Sequence, residues 1–191
     1  MADLRSIVHG PQRHNSIPTA SLSVVYDSSG QQNNKGWNAL IFRCSGKSGF
    51  SAEVSGHPRR VEARKLEREV EVRFTDVPCI VRTPEGAVQA HPGDAILTGN
   101  GGHHWRVSHA KFANKYRPIS PTVAGQSGHY MSLPYHILAL QLLEPFEVHL
   151  ADGVSALSGH AEDWLVDYGD GSLGIVAQDI FATTYEILKV A

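Results

Sequence analysis

One pattern occurs twice in this chain: residues 94–116 align without a gap on residues 163–185. Asp94 and Asp163 open the two stretches, followed by Ala95-Ile96-Leu97 in one and Trp164-Leu165-Val166 in the other. Gly102 and Gly171, Val107 and Val176, Phe112 and Phe181, Ala113 and Ala182, and Tyr116 and Tyr185 then fall on matched positions. Upstream, residues 81–86 match residues 148–153, with two extra residues before the second Asp. An offset sustained over about forty residues marks a duplicated supersecondary unit. A unit that small cannot bury its apolar face alone, so the copies are expected to pack together as small modules around a shared core.

Local patterns supply the elements. Residues 1–20 are polar, contain Pro11 and Pro18, and read as an extended arm. Residues 22–27, 37–44 and 50–54 read as strands of a meander, separated by turns rich in Gly, Ser and Asn. Across 61–69 Arg and Glu stand a helical turn apart, which predicts a helical start. Val70, Val72 and Phe74 then alternate with charge, as a strand does.

In the first copy, 79–83 and 86–90 flank Pro84-Glu85 as a hairpin, and Pro92-Gly93 turns into a strand at 95–98. The glycines of 99–102 return the chain through 104–107, and Ser108 caps a short helix over 109–115 that Pro118 stops. Residues 118–134, rich in Pro, Ser, Gly and Thr, read as a connection. Residues 135–144 are apolar nearly all round and read as helix at their start and strand at their end. The second copy repeats the scheme and closes with a helix ending at Tyr185. The expected layout is an arm and meander (1–60), a first module (61–118), a connection with a helix (119–144) and a second module (145–191), in one compact unit. The expected fold class is α+β, mostly antiparallel β, with tandem small β modules each closed by a short helix, pseudo-twofold symmetry between copies, and a core shared with the N-terminal meander.

His91-Pro92-Gly93-Asp94, the apolar run after it, Trp105-Arg106-Val107 and the tail from Phe112 to Tyr116 resemble the small bacterial and phage proteins of the PGDYG family. The resemblance covers roughly residues 66–118 and, more weakly, 145–188. The first copy reads Pro-Gly-Asp-Ala-Ile and the second Ala-Glu-Asp-Trp-Leu where the family's name reads Pro-Gly-Asp-Tyr-Gly. The resemblance implies a module, present in two tandem copies, and no particular chemistry.

Composition narrows the partners. No apolar run approaches the roughly 18 residues of a membrane span, and the first residues lack the apolar stretch of a signal peptide. A soluble, cytoplasmic protein without a membrane partner is expected. Cys44 and Cys79 stand far apart and in no CxxC spacing, so they read as two buried reduced thiols. The net charge of −2 conceals an asymmetry: residues 1–117 hold 16 Lys or Arg against 10 Asp or Glu, whereas residues 118–191 hold Lys189 alone against nine acids. Such halves can pack on each other or favour association between chains as a homo-oligomer. Nucleic acid is not an expected partner, because the densest basic run, 59–73, interleaves Glu62, Glu67, Glu69 and Glu71 with its bases.

Candidate site residues follow from the repeat and from the 11 histidines. Asp94 and Asp163 each follow a turn, where a carboxylate accepts turn N–H bonds. Phe112 with Tyr116, and Phe181 with Tyr185, share a helix face and read as core anchors. His91, His103, His104 and His109 crowd two turns, but no HxH or HExxH spacing is present, and adjacent His103 and His104 on a strand would face opposite sides. No metal, cofactor or catalytic residue is assigned. The glycine clusters of 99–102 and 169–174 lead into strand-like residues and read as hairpin turns rather than phosphate cradles. A cleft between copies would place Asp94, His103, His104, Trp105, Asp163, Trp164 and Tyr168 as candidate ligand-binding residues.

The functional expectation is a non-enzymatic module binding an unidentified small molecule or protein. Two other readings compete: a small metal-dependent hydrolase or nucleotide-processing enzyme using Asp94 and the nearby histidines, and a phage or prophage structural or assembly component.

Overall fold

The computed structural model describes residues 39–99 and 102–190. Two five-stranded sheets form its frame. The first runs, edge to edge, β7 (His104–Val107), β6 (Ala95–Thr98), β3 (Glu69–Phe74), β9 (Gly128–Ser132) and β8 (Tyr116–Pro118). The second runs β14 (Leu173–Val176), β13 (Trp164–Asp167), β10 (His136–Gln141), β2 (Val61–Lys65) and β15 (Tyr185–Val190). Every pairing within them is antiparallel. The hairpin of β4 (Cys79–Thr83) and β5 (Gly86–Ala90) packs on the first sheet. The hairpin of β11 (Phe146–His149) and β12 (Ala156–Gly159) packs on the second and is widened by β1 (Leu40–Arg43), parallel to β11. Helix α2 (His109–Lys115) leads into β8, α3 (Gln178–Thr184) leads into β15, and α1 (Ala52–Ser55) is a single turn.

Burial explains why the longest apolar stretch is a strand. In β10, Leu138 and Leu140 face one cluster with Leu165, Phe146 and Val148, while Ile137 and Ala139 face another with Trp164, Val166 and Phe181. A strand covered on both sides reads as continuously apolar, and so resembles a buried helix in sequence. The first sheet is covered by α2, whose Phe112 meets Phe74, Tyr116 and Tyr130 with centroids 5.0 Å away in each case. The second is covered by α3, whose Phe181 stacks on Trp164 at 4.1 Å and on Tyr185 at 4.8 Å.

Chain order and sheet order part company at β2 and β9. β2 precedes every strand of the first sheet yet lies in the second, between β10 and β15. β9 leads into β10 but lies in the first sheet, between β3 and β8. The two crossovers, 66–68 and 133–135, bond to each other reciprocally: Lys65 N–H donates to the Tyr135 carbonyl (2.9 Å) and Ser132 N–H to the Arg68 carbonyl (2.8 Å). The helix ends repeat the pattern, with Leu66 N–H donating to the Thr184 carbonyl and Leu133 N–H to the Lys115 carbonyl. This seam ties the sheets together through backbone.

The mostly antiparallel α+β class expected from the sequence is the one observed. Several local expectations give way. The strand expected at 50–54 is α1, because the Ser51 hydroxyl accepts the Val54 N–H at 3.2 Å and closes a turn over buried Val54. The helical start expected across 61–69 is β2, whose charges at Glu62 and Arg64 point outward while Val61, Ala63 and Lys65 are buried between two neighbouring strands. The connection at 118–134 contains β9, and the helix expected from 135 is β10. α3 ends at Thr184 with Tyr185 as its cap, where the sequence places the helix end, and the chain then continues as β15, a strand the sequence reading does not include. The strand expected at 22–27 and the turn at 28–36 lie outside the described residues.

Candidate functional site

The seam brings together polar and aromatic groups from both sheets. Lys65, last in β2, follows Val61 and Ala63 inward and is 8% exposed. Its ammonium lies 5.9 Å from the Trp105 ring and 5.6 Å from the rings of Tyr116 and Tyr135, and donates to the Tyr116 hydroxyl at 3.4 Å. Ser132 occupies the corresponding position at the end of β9, where its hydroxyl is engaged by the other crossover, donating to the Leu66 carbonyl and accepting the Arg68 N–H. The Ser132 hydroxyl is therefore used up in tying the two crossovers together, whereas Lys65 presents a cation.

A second lysine completes the cluster. Lys115, at the end of α2, lies over Tyr135 and Tyr168 at 4.9 and 4.7 Å and pairs with Asp170 at 2.9 Å; Lys111 pairs with the same carboxylate at 2.9 Å. Burial alone would raise the Asp170 pKa, but the Ser172 hydroxyl, Lys115 and Lys111 outweigh it and hold the carboxyl well below the usual range. Tyr135, Tyr168 and Tyr185 are pushed well above the ordinary tyrosine value, chiefly by burial and then by their crowding with one another and Tyr116. All three stay neutral hydroxyls, suited to hydrogen bonding rather than to acting as phenolate nucleophiles.

Aromatic volume at the seam is arranged complementarily. A Cβ on Gly99 would lie 3.0 Å from the Trp105 ring, and one on Gly174 would lie 2.8 Å from the Tyr168 hydroxyl. Gly99 matches Tyr168, and Trp105 matches Gly174, so each hairpin holds one large ring over one glycine with the two roles exchanged. Outside the cluster, Arg64, Lys65, Leu66, Glu67, Arg68 and Pro134 line an open groove of about 410 Å³. Arg64 pairs with Glu186 and Glu67 with Arg117, while Arg68 donates to the Thr183 carbonyl.

Of the candidate ligand-binding residues, Trp105 and Tyr168 reach this seam, as do the expected core anchors Tyr116 and Tyr185. Asp94 and Asp163 lie in turns: each accepts the N–H three residues before it, from His91 and His160, at 2.8 Å. Asp94 does more, accepting the His109 N–H at 2.9 Å and the Arg106 guanidinium at 2.8 Å. The α2 cap residue Ser108 makes no side-chain cap bond, so Asp94 supplies from outside the acceptor that the helix start needs. Trp164 is buried against Phe181. His103 and His104 are exposed, His104 bonding to Thr98 at 2.9 Å. Among the described residues no three His, Cys, Asp or Glu side chains converge as a metal-binding group. Lys65, Lys115, Asp170 and Tyr135 were not singled out. A usable signal exists for Lys65 alone, a charge at an inward position of an alternating run.

The family model described as PGDYG protein matches residues 86–186 in a single span covering just over half of the chain. No curated protein and no solved structure matches.

Proposed function

The chain belongs to the PGDYG family, and we propose that it is a non-enzymatic binding module that holds the anionic end of a small molecule or partner protein at the seam between its sheets. The observation that carries this reading is Lys65: nearly buried, with one long hydrogen bond and, among the described residues, no carboxylate within ion-pair distance. Contacts with aromatic rings contribute about 0.5–2 kcal/mol each, against several kcal/mol to desolvate an ammonium. A carboxylate or phosphate arriving through the adjacent groove would offset the remainder, and Arg64 and Arg68 at its rim add attraction. The competing enzymatic reading draws on Asp94, whose oxygens are engaged by His91, His109 and Arg106.

Residues 61–190 are, in this proposal, two tandem copies of one unit whose first strands, β2 and β9, are exchanged between sheets. The identical strand order of the sheets and the reciprocal bonds of the crossovers support it. Calorimetric titration of the full chain with inorganic phosphate, succinate and a glutamate-rich peptide tests the binding reading. At least one of these should bind with one-to-one stoichiometry, and Lys65→Met, which keeps the length of the side chain, should weaken it by about tenfold or more. Binding by none of them, or equal binding by the variant, would end the proposal.

A further inference from the structure

We propose that β15 is a self-association edge through which two copies of this chain pair antiparallel, joining their second sheets into one continuous sheet. Among the described residues β15 has β2 on one side and no strand on the other. The corresponding edge of the first sheet, β8, is three residues long and ends in Pro118, which has no N–H to offer. β15 runs six residues without proline and leaves Ile187, Leu188 and Val190 exposed at 46, 45 and 67%. A six-residue edge that can offer its N–H groups is a template for pairing, and this one lacks the proline that ends its counterpart.

Charge selects both partner and register. β15 pairs Glu186 with Arg64 and Lys189 with Glu62 on β2, with a bulge between Ile187 and Lys189. The bulge brings Glu186 and Lys189 onto the same face although three positions separate them. An antiparallel copy centred between Ile187 and Leu188 then sets Glu186 opposite Lys189 of the second copy, and does so twice by symmetry. Across the joint the row reads Arg64, Glu186, Lys189 and Glu62, alternating in sign from one β2 to the other. Centring the pair on Ile187 or on Leu188 sets each charge against an uncharged residue. On the opposite face Tyr185 meets Val190, covering apolar surface that Val190 otherwise leaves exposed. A single strand edge buries little area, so the dimer should be reversible and concentration-dependent.

Sedimentation equilibrium of the full chain tests this through charge reversal. The wild type should dimerise with rising concentration, whereas Glu186→Lys and Lys189→Glu should each be monomeric, since each sets like charges opposite each other at both contacts. An equimolar mixture of the two variants should recover dimer, because a mixed pair sets two basic side chains of one copy against two acidic side chains of the other. Should a reversal disturb folding, Leu188→Lys, which changes only the bulge residue, should also give a folded monomer. A wild type monomeric at all concentrations, single variants that dimerise unchanged, or a mixture that stays monomeric would overturn the proposal. Slow hydrogen exchange, in a monomeric wild type, of those β15 amides that do not bond to β2 would place another segment of the same chain on this edge and would overturn it equally.

Discussion

Replacing Asp94 by Ala should cost the fold about 3–5 kcal/mol, while the same change at the matched Asp163 should cost about 1 kcal/mol. Asp94 is 4% exposed and accepts from two backbone N–H groups and a guanidinium, at 2.8 to 2.9 Å. Hydrogen bonds to a charged acceptor are worth about 1.5–3 kcal/mol each, but their sum overstates the loss because neighbouring bonds are not additive. The Arg106 contribution is further discounted for its partial exposure to solvent. Asp163 accepts one such bond, from His160, and has Ile175 and Gln178 where Asp94 has Arg106 and His109. Urea unfolding monitored by circular dichroism gives both differences from the midpoints, provided that the slopes agree. Adding Arg106→Met to Asp94→Ala should recover about 1–2 kcal/mol by removing an unpaired half-buried cation. Costs for the two Asp variants within about 1 kcal/mol of each other would refute the argument that Asp94 latches its turn to the start of α2. The pH dependence has a defined sign. Burial alone would raise the Asp94 pKa, but the His91 and His109 N–H groups and Arg106 more than reverse this, so the folded value lies below the unfolded one. The wild-type advantage over Asp94→Ala should therefore be fully present above the ordinary aspartate pKa and should shrink as pH falls through the depressed folded value.

Phe112→Ala and Phe181→Ala should each destabilise by about 3–5 kcal/mol in the same titration, since each ring is the centre of its helix-covered cluster. An unchanged midpoint in either would show that the helix is peripheral. Gly93 and Glu162 occupy the same place in the two Asp turns with φ of 87° and 74°. Gly93→Ala should thus cost about 1 kcal/mol and Glu162→Gly should gain up to about 1 kcal/mol, a pair of opposite signs measurable as shifts in Tm.

The elements whose own periodicity shows which face is covered were legible from the residues alone. β3 declares itself because Val70 and Val72 alternate with charges, and α2 and α3 because Phe and Tyr recur four residues apart at matched places. The repeat also located Trp105 and Tyr168, which do reach the seam. Tertiary structure decided β2 and β10, because local spacing cannot say how many faces of a segment will be covered. Arg and Glu a helical turn apart also suit the open face of a strand, and an apolar run suits a doubly covered strand as well as a buried helix. The seam depended still more on distant contacts. Lys65 faces Trp105, Tyr116 and Tyr135 only because β2 is carried into the second sheet, and Asp170 meets Lys111 and Lys115 from more than fifty residues away in sequence. Which sheet β2 and β9 join is a property of the whole topology. No window of neighbouring residues encodes which sheet a strand joins, since that choice depends on which sheet can supply two neighbours and a covered face at once.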